Sequence, residues 1–111
     1  MRNQRAGKPL TEPVLLILLS LAGQPRHGYS LMKDIESLSN GRVRLSTGTL
    51  NGALRRLLED LWIERFELDD TSREKQVYKL TRAGRKQLNA ELERMRQLTR
   101  AATTRIRTRE A

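Results

Sequence analysis

Read for the spacing of its apolar positions, the chain opens with Thr11, an N-cap type of residue, followed by Glu12 and Pro13, which suit a first helical turn. The stretch to Ala22 is apolar nearly all round, which predicts a helix buried on most sides and ended by Gly23 and Pro25. A second helix is predicted from Gly28-Tyr29, with Met32, Ile35 and Leu38 at helical spacing, Leu31 beside them, and Asn40-Gly41 as the stop. Arg42-Val43-Arg44-Leu45 alternates and is expected to form a very short strand. Ser46 then caps a third helix whose apolar stripe is Leu50, Ala53, Leu54, Leu57 and Leu58.

Two β-prone segments follow, residues 62–68 and 75–80, on either side of a polar turn, which is a hairpin pattern. Trp62, Phe66 and Leu68 are expected on one face of the first strand and Tyr78 and Leu80 on one face of the second, with Arg73 and Lys75 at the tip. Core packing of the hairpin is the expected role of Trp62 and Phe66. Thr81 caps a last helix from Arg82 to about Arg105. Along it Leu88, Leu92, Met95, Thr99, Ala102 and Ile106 form a heptad-like seam. Some 25 helical residues extend about 37 Å. A small domain cannot cover that length alone, so a partner helix is implied, and the tail beyond is expected to fray.

On the face of the third helix away from its stripe, Thr47, Asn51 and Arg55 stand four apart, with Gly48 and Gly52 alongside. Glycine inside a helix costs about 1 kcal/mol relative to alanine. Small residues flanked by Thr, Asn and Arg let a helix approach another backbone closely, so this helix is the candidate for insertion into a groove. Three helices and then a hairpin is the order of a winged helix-turn-helix, in which the third helix enters the major groove. The expected fold class is therefore α+β, mostly α, with a long C-terminal dimerisation helix. Its expected parts are a flexible basic arm (1–10), the winged helix-turn-helix (11–81), and the dimerisation helix with its basic tail (82–111). Arg55 suits guanine edges or phosphate, Asn51 adenine, and Thr47 a thymine methyl or phosphate.

Composition sharpens this picture. The chain of 111 residues has 22 Lys+Arg against 13 Asp+Glu, a net charge of +9. Residues 1–60 carry +4, residues 61–80 carry −1 and residues 81–111 carry +6. That balance suits nucleic acid first and a membrane surface second. Arg56 joins Arg55 and the hairpin tip as expected DNA-facing charge. Arg100, Arg105, Arg107 and Arg109 fit either a second nucleic-acid contact or a solvated tail. The absence of Cys removes disulfides, thiol nucleophiles and thiolate metal sites, and the single His27 cannot make a multi-His metal cluster. His27 is expected to cap or pack at the second helix. The longest apolar run, residues 14–19, is too short to span a bilayer and lacks a signal-peptide cleavage site, so a cytoplasmic protein is expected. No nucleophile–base pair and no phosphate-binding glycine loop is present, so neither enzyme activity nor a cofactor is expected. Residue pattern alone leaves two other readings open: a protein–protein assembly module of the same fold, and a non-specific nucleic-acid binder.

Three groups of residues resemble the PadR family of bacterial transcriptional regulators: His27-Gly28-Tyr29; Ser46-Thr47-Gly48-Thr49-Leu50 with Gly52-Ala53-Leu54; and Tyr78-Lys79-Leu80-Thr81 followed by Ala83-Gly84-Arg85. The resemblance covers roughly residues 13–100. It implies a homodimeric repressor on a pseudo-palindromic operator of double-stranded DNA, of the compact subgroup whose single C-terminal helix packs with the partner's N-terminal helix. A small-molecule effector at the dimer interface is implied as well, with the lining of its pocket as the alternative role of Trp62 and Phe66. By position the resemblance assigns DNA contacts to Ser46, Thr47, Gly48, Thr49 and Arg55, and wing contacts to Arg73 and Lys75. Two positions depart from the family pattern. Asn51 stands where the family has Tyr, and Leu61 where it has Gly, so the turn at Leu61 is expected to differ locally.

Overall fold

A computed structural model describes residues 9–67 and 76–110. Its elements are α1 (Glu12–Gly23), β1 (Arg26–His27), α2 (Gly28–Leu38), α3 (Thr47–Glu59), β2 (Ile63–Glu67), β3 (Gln76–Leu80) and α4 (Arg82–Glu110). Three of the four helix starts, those of α1, α3 and α4, follow from their caps. The Thr11 hydroxyl accepts the Val14 N–H, Ser46 accepts the Thr49 N–H at 3.1 Å, and Thr81 accepts the Gly84 N–H at 3.0 Å. Each thereby satisfies one of the amides that a helix start leaves without an internal partner.

α1 is buried on most of its circumference, and Ile17 and Leu18 are fully inaccessible. They pack with Leu31 and Ile35 of α2, Leu54 and Leu57 of α3, and Trp62. Asn40 (φ 54°) and Gly41 (φ 80°) end α2, as the sequence predicts. The Gly41 N–H reaches back to Glu36 O and that of Asn40 to Ser37 O, the paired closure of a Schellman motif. Buried Ser39 then holds the turn toward α3, its hydroxyl accepting the Val43 N–H at 2.9 Å.

The small sheet differs from expectation in two ways. Arg42-Val43-Arg44-Leu45 is not a strand; Arg42 and Arg44 instead pair with Glu12 and Glu36, tying this segment to α1 and α2. The third strand is β1, whose Arg26 and His27 lie opposite Tyr78 and Val77, giving the antiparallel order β1-β3-β2. His27 is thus a half-buried strand residue that precedes α2 without a side-chain cap. In the hairpin, Ile63 faces Leu80 and Phe66 faces Val77. Tyr78 and Leu80 therefore share a face with Ile63, not with Phe66. Trp62 is buried just before the strand, whereas Phe66 is 39 % exposed, with the Lys79 ammonium 5.6 Å from its ring centre. Leu68 lies outside the described residues.

α4 is longer than predicted, and the tail expected to fray is helical to Glu110. Only its N-terminal half packs on the domain, against α1 and β3. Leu10, placed by the sequence in a flexible arm, packs on the core, and its N–H is accepted by buried Glu91 of α4.

Candidate nucleic-acid interface

α3 turns its stripe inward as the spacing predicts: Leu50, Leu54 and Leu57 are buried, and Ala53 and Leu58 are half-buried. Helical geometry then sends Thr47, Asn51 and Arg55 outward, and all three are exposed, as are Gly48 and Arg56. From Thr47 to Arg55 the face runs about 12 Å along the axis. The glycines sit bare on this face. A β-carbon added at Gly48 or Gly52 would meet nothing within 4 Å, so packing inside the protomer does not explain either residue.

Ser46 and Thr49, also expected to touch DNA, are exposed but first of all build the helix start. Besides accepting the Thr49 N–H, the Ser46 hydroxyl donates to Thr49 Oγ1 at 3.0 Å. This fixes the first turn of α3, whose free N–H groups suit a phosphate. Arg73 and Lys75, the expected wing contacts, lie outside the described residues.

The seam of α4 divides in two. Leu88 is buried in its own protomer's core and Leu92 is half-buried against it, so the expectation that both line a free seam is corrected. Met95, Thr99, Ala102 and Ile106 are exposed. Leu98, which the heptad spacing passes over, is 56 % exposed beside Met95 and extends the apolar strip. At the point where α4 leaves the domain, Arg94 grips the buried Glu91 carboxylate with two hydrogen bonds, at 3.1 and 2.5 Å. These bonds, with the Leu10 N–H, hold the Glu91 carboxyl below its ordinary pKa against the opposing effect of burial. Its partner, the Arg94 guanidinium, is correspondingly raised.

Sequence reasoning missed the join between α3 and the elements after it. Leu61 adopts φ 64°, the left-handed conformation that favours glycine. The turn is therefore the glycine type of turn with leucine in it, not a locally different one. The Trp62 N–H bonds Leu57 O at 3.0 Å and the Leu61 N–H bonds Leu58 O at 3.1 Å, a second Schellman closure. Thr81 donates its hydroxyl to Leu61 O at 2.7 Å and its N–H to Trp62 O at 3.1 Å. Gly84 lies against the same Trp62 carbonyl, where a β-carbon would come within 2.0 Å of the oxygen. A second polar cluster ties α1 to α2 and β1. Buried Ser20 donates to Asp34 at 2.6 Å, and Arg26 pairs with Asp34 at 3.4 Å. No periodicity in the sequence marks that cluster.

Residues 16–90 match the transcriptional regulator PadR-like family. The chain belongs to this family. The fold agrees with solved structures at low identity. A PadR family transcription regulator from Clostridium difficile superposes with a TM-score of 0.71 at 20% identity, covering 86% of this chain and 99% of that one. A PadR-like transcription factor from Bacteroides fragilis gives 0.70 at 22% identity, covering 83% and 87%. A transcriptional regulator from Clostridium thermocellum gives 0.69 at 21%, covering 82% and 89%. No curated protein matches the sequence significantly. This PadR-like chain is a DNA-binding transcriptional regulator with a winged-helix fold, from a family of regulators rather than enzymes. Among its described residues, no helix is long and apolar enough to cross a membrane.

Proposed function

We propose that this PadR-like protein is a homodimeric repressor that reads a pseudo-palindromic operator with the Thr47–Asn51–Arg55 face of α3. The observation that carries the reading is that face itself, exposed along its length and bare at Gly48 and Gly52. A duplex can approach such a surface until side chains of residues 47, 51 and 55 reach base edges. Ser46 and Thr49 hold the first turn for phosphate contact, Arg56 adds charge at the flank, and Arg73 and Lys75 extend the contact from the hairpin. The exposed strip of Met95, Leu98, Thr99, Ala102 and Ile106 supports pairing of α4 with a second copy, because apolar groups in a row on a helix gain by burial. Pairing would set the two recognition helices about 34–36 Å apart, one turn of duplex. A signal that alters that spacing, such as a small molecule at the interface, would act through this geometry. The proposed parts are the basic arm, the winged helix-turn-helix to Thr81, and the dimer helix beyond it, in a cytoplasmic protein.

Gel shifts on the DNA upstream of the protein's own gene, with excess competitor, test the reading. The native protein should hold its band against competitor, and Arg55→Ala should weaken binding by about 1–3 kcal/mol. A band that competitor abolishes would overturn specific recognition. No band even at low salt would favour an assembly module instead.

A further inference from the structure

Leu61, Trp62, Thr81 and Gly84 join the end of α3 to the start of α4 more tightly than capping requires. Beyond the Schellman closure of α3, the Leu61 carbonyl accepts the Thr81 hydroxyl, and the Trp62 carbonyl accepts the Thr81 N–H, which carries the β2–β3 pairing one residue past Ile63 and Leu80. The same Thr81 hydroxyl accepts the Gly84 N–H that begins α4. With no side chain at Gly84, the first turn of α4 rests directly on the Trp62 carbonyl. α3 also packs through Leu50, Leu54 and Leu57 in the core it shares with α1 and α2, and α4 packs on α1 and β3; the junction adds a hydrogen-bonded link between the end of α3 and the start of α4. The conformation it holds is a costly one, since Leu61 has positive φ while its side chain stays 70 % exposed and gains little from packing.

We propose that Thr81 is a positioning residue for DNA recognition: by holding the Leu61 carbonyl with its hydroxyl it fixes the angle between α3 and α4, and so the spacing of the two recognition helices in the dimer. The inference rests on the homodimer reading given above. In it, a rotation of α4 at the dimer seam carries α3 with it, and the Leu61 turn is the bend at which that motion would otherwise be lost.

The chain has no cysteine, so a Thr47→Cys variant carries a single spin label at the start of each α3. Pulsed electron–electron spectroscopy then reads the distance between the two labels without DNA. Thr81→Val removes the hydroxyl and also the cap, so it should lower the Tm and broaden the distance distribution. Leu61→Gly relieves the positive φ and should raise the Tm by a few degrees while the distribution stays narrow. The decisive variant is Leu61→Gly with Thr81→Val, whose Tm should return toward the native value while the distribution remains broad. Thr81→Ser, which keeps the hydroxyl, should be narrow. On duplexes selected in vitro by the native protein, inserting one base pair between the half-sites should cost the native protein about tenfold in affinity or more, and the double variant much less.

A double variant with a native distribution and native spacing preference would reduce Thr81 to a cap and overturn the proposal. Broadening in Leu61→Gly alone would place the control at Leu61 and overturn it too. Native protein with no distance between labels would defeat the homodimer reading first, and the proposal with it. That outcome is distinguishable because every variant would then give the same absence of signal.

Discussion

In the first turn of α4, a β-carbon on Gly84 would stand 2.0 Å from the Trp62 carbonyl oxygen; on α3, β-carbons on Gly48 and Gly52 would meet nothing within 4 Å. Gly84 is needed because the protein's own backbone fills the space beside it. The two glycines of α3 face open space in the protomer, and the helix bears their cost in conformational freedom without any internal gain. One glycine is therefore read as folding and the other two as binding. Glycine composition alone does not separate these cases, but what surrounds the missing β-carbon does.

The largest effect that can break this comparison is at Gly84. Alanine there forces α4 off Trp62, and Gly84→Ala should lower stability by about 3 kcal/mol or more, since the obstructing atom belongs to the backbone and cannot rotate away. Thermal or urea unfolding measures it, and a loss below about 1 kcal/mol would show that the contact gives way easily. The paired change on α3 should do the reverse. Gly52→Ala should leave the fold intact or stabilise it by up to about 1 kcal/mol, and Gly48→Ala by less, while DNA binding by the pair weakens. Unfolding curves beside gel shifts would check both signs. Unchanged DNA affinity would mean that no backbone or base approaches that face.

A smaller effect concerns Glu91, buried where α4 leaves the domain. Its carboxyl is held below its ordinary pKa in the folded protein, so the unfolded chain binds the proton more readily. The stability it contributes is then present above the unfolded-state pKa and is lost as pH falls through it toward the lower folded-state value. Glu91→Gln should remove that part of the acid-side decline in Tm and leave the slope near neutral pH unchanged. Identical acid profiles for the two proteins would contradict the assignment.

Much of the fold was legible because its signals are local. Thr11, Ser46 and Thr81 announce their helices by cap chemistry, Asn40-Gly41 announces the end of α2, and the stripe of α3 follows from helical period alone. The outward placement of Thr47, Asn51 and Arg55 came with that stripe. What was not legible depends on partners distant in sequence. β1 is only Arg26 and His27, too short to carry a pattern, and it exists because β3 offers it an edge. Among the described residues the alternation at 42–45 pairs with no strand and is held by ion pairs instead. Alternation counted from Trp62 would put Phe66 in the core. Trp62 lies in the bend before the strand, which moves the inward face by one residue to Ile63. Heptad spacing marks a largely apolar seam but not whose core covers it: Leu88 is covered by its own protomer, and Leu98 stands exposed outside the heptad count. Leu61 shows the strongest override. Residue preference argues against positive φ there, yet the Thr81 and Trp62 contacts hold the turn in place.

The central claim is that the bare polar face of α3 reads DNA while the glycine of α4 serves only the fold. Backbone amide NMR of the native protein, titrated with the specific duplex it retains against competitor, tests both halves at once. The account predicts the largest shifts at Thr47, Gly48, Asn51, Gly52 and Arg55, and little change at Gly84 and its neighbours in the first turn of α4. Shifts concentrated along α4, with the amides of residues 47–55 unmoved, would contradict it.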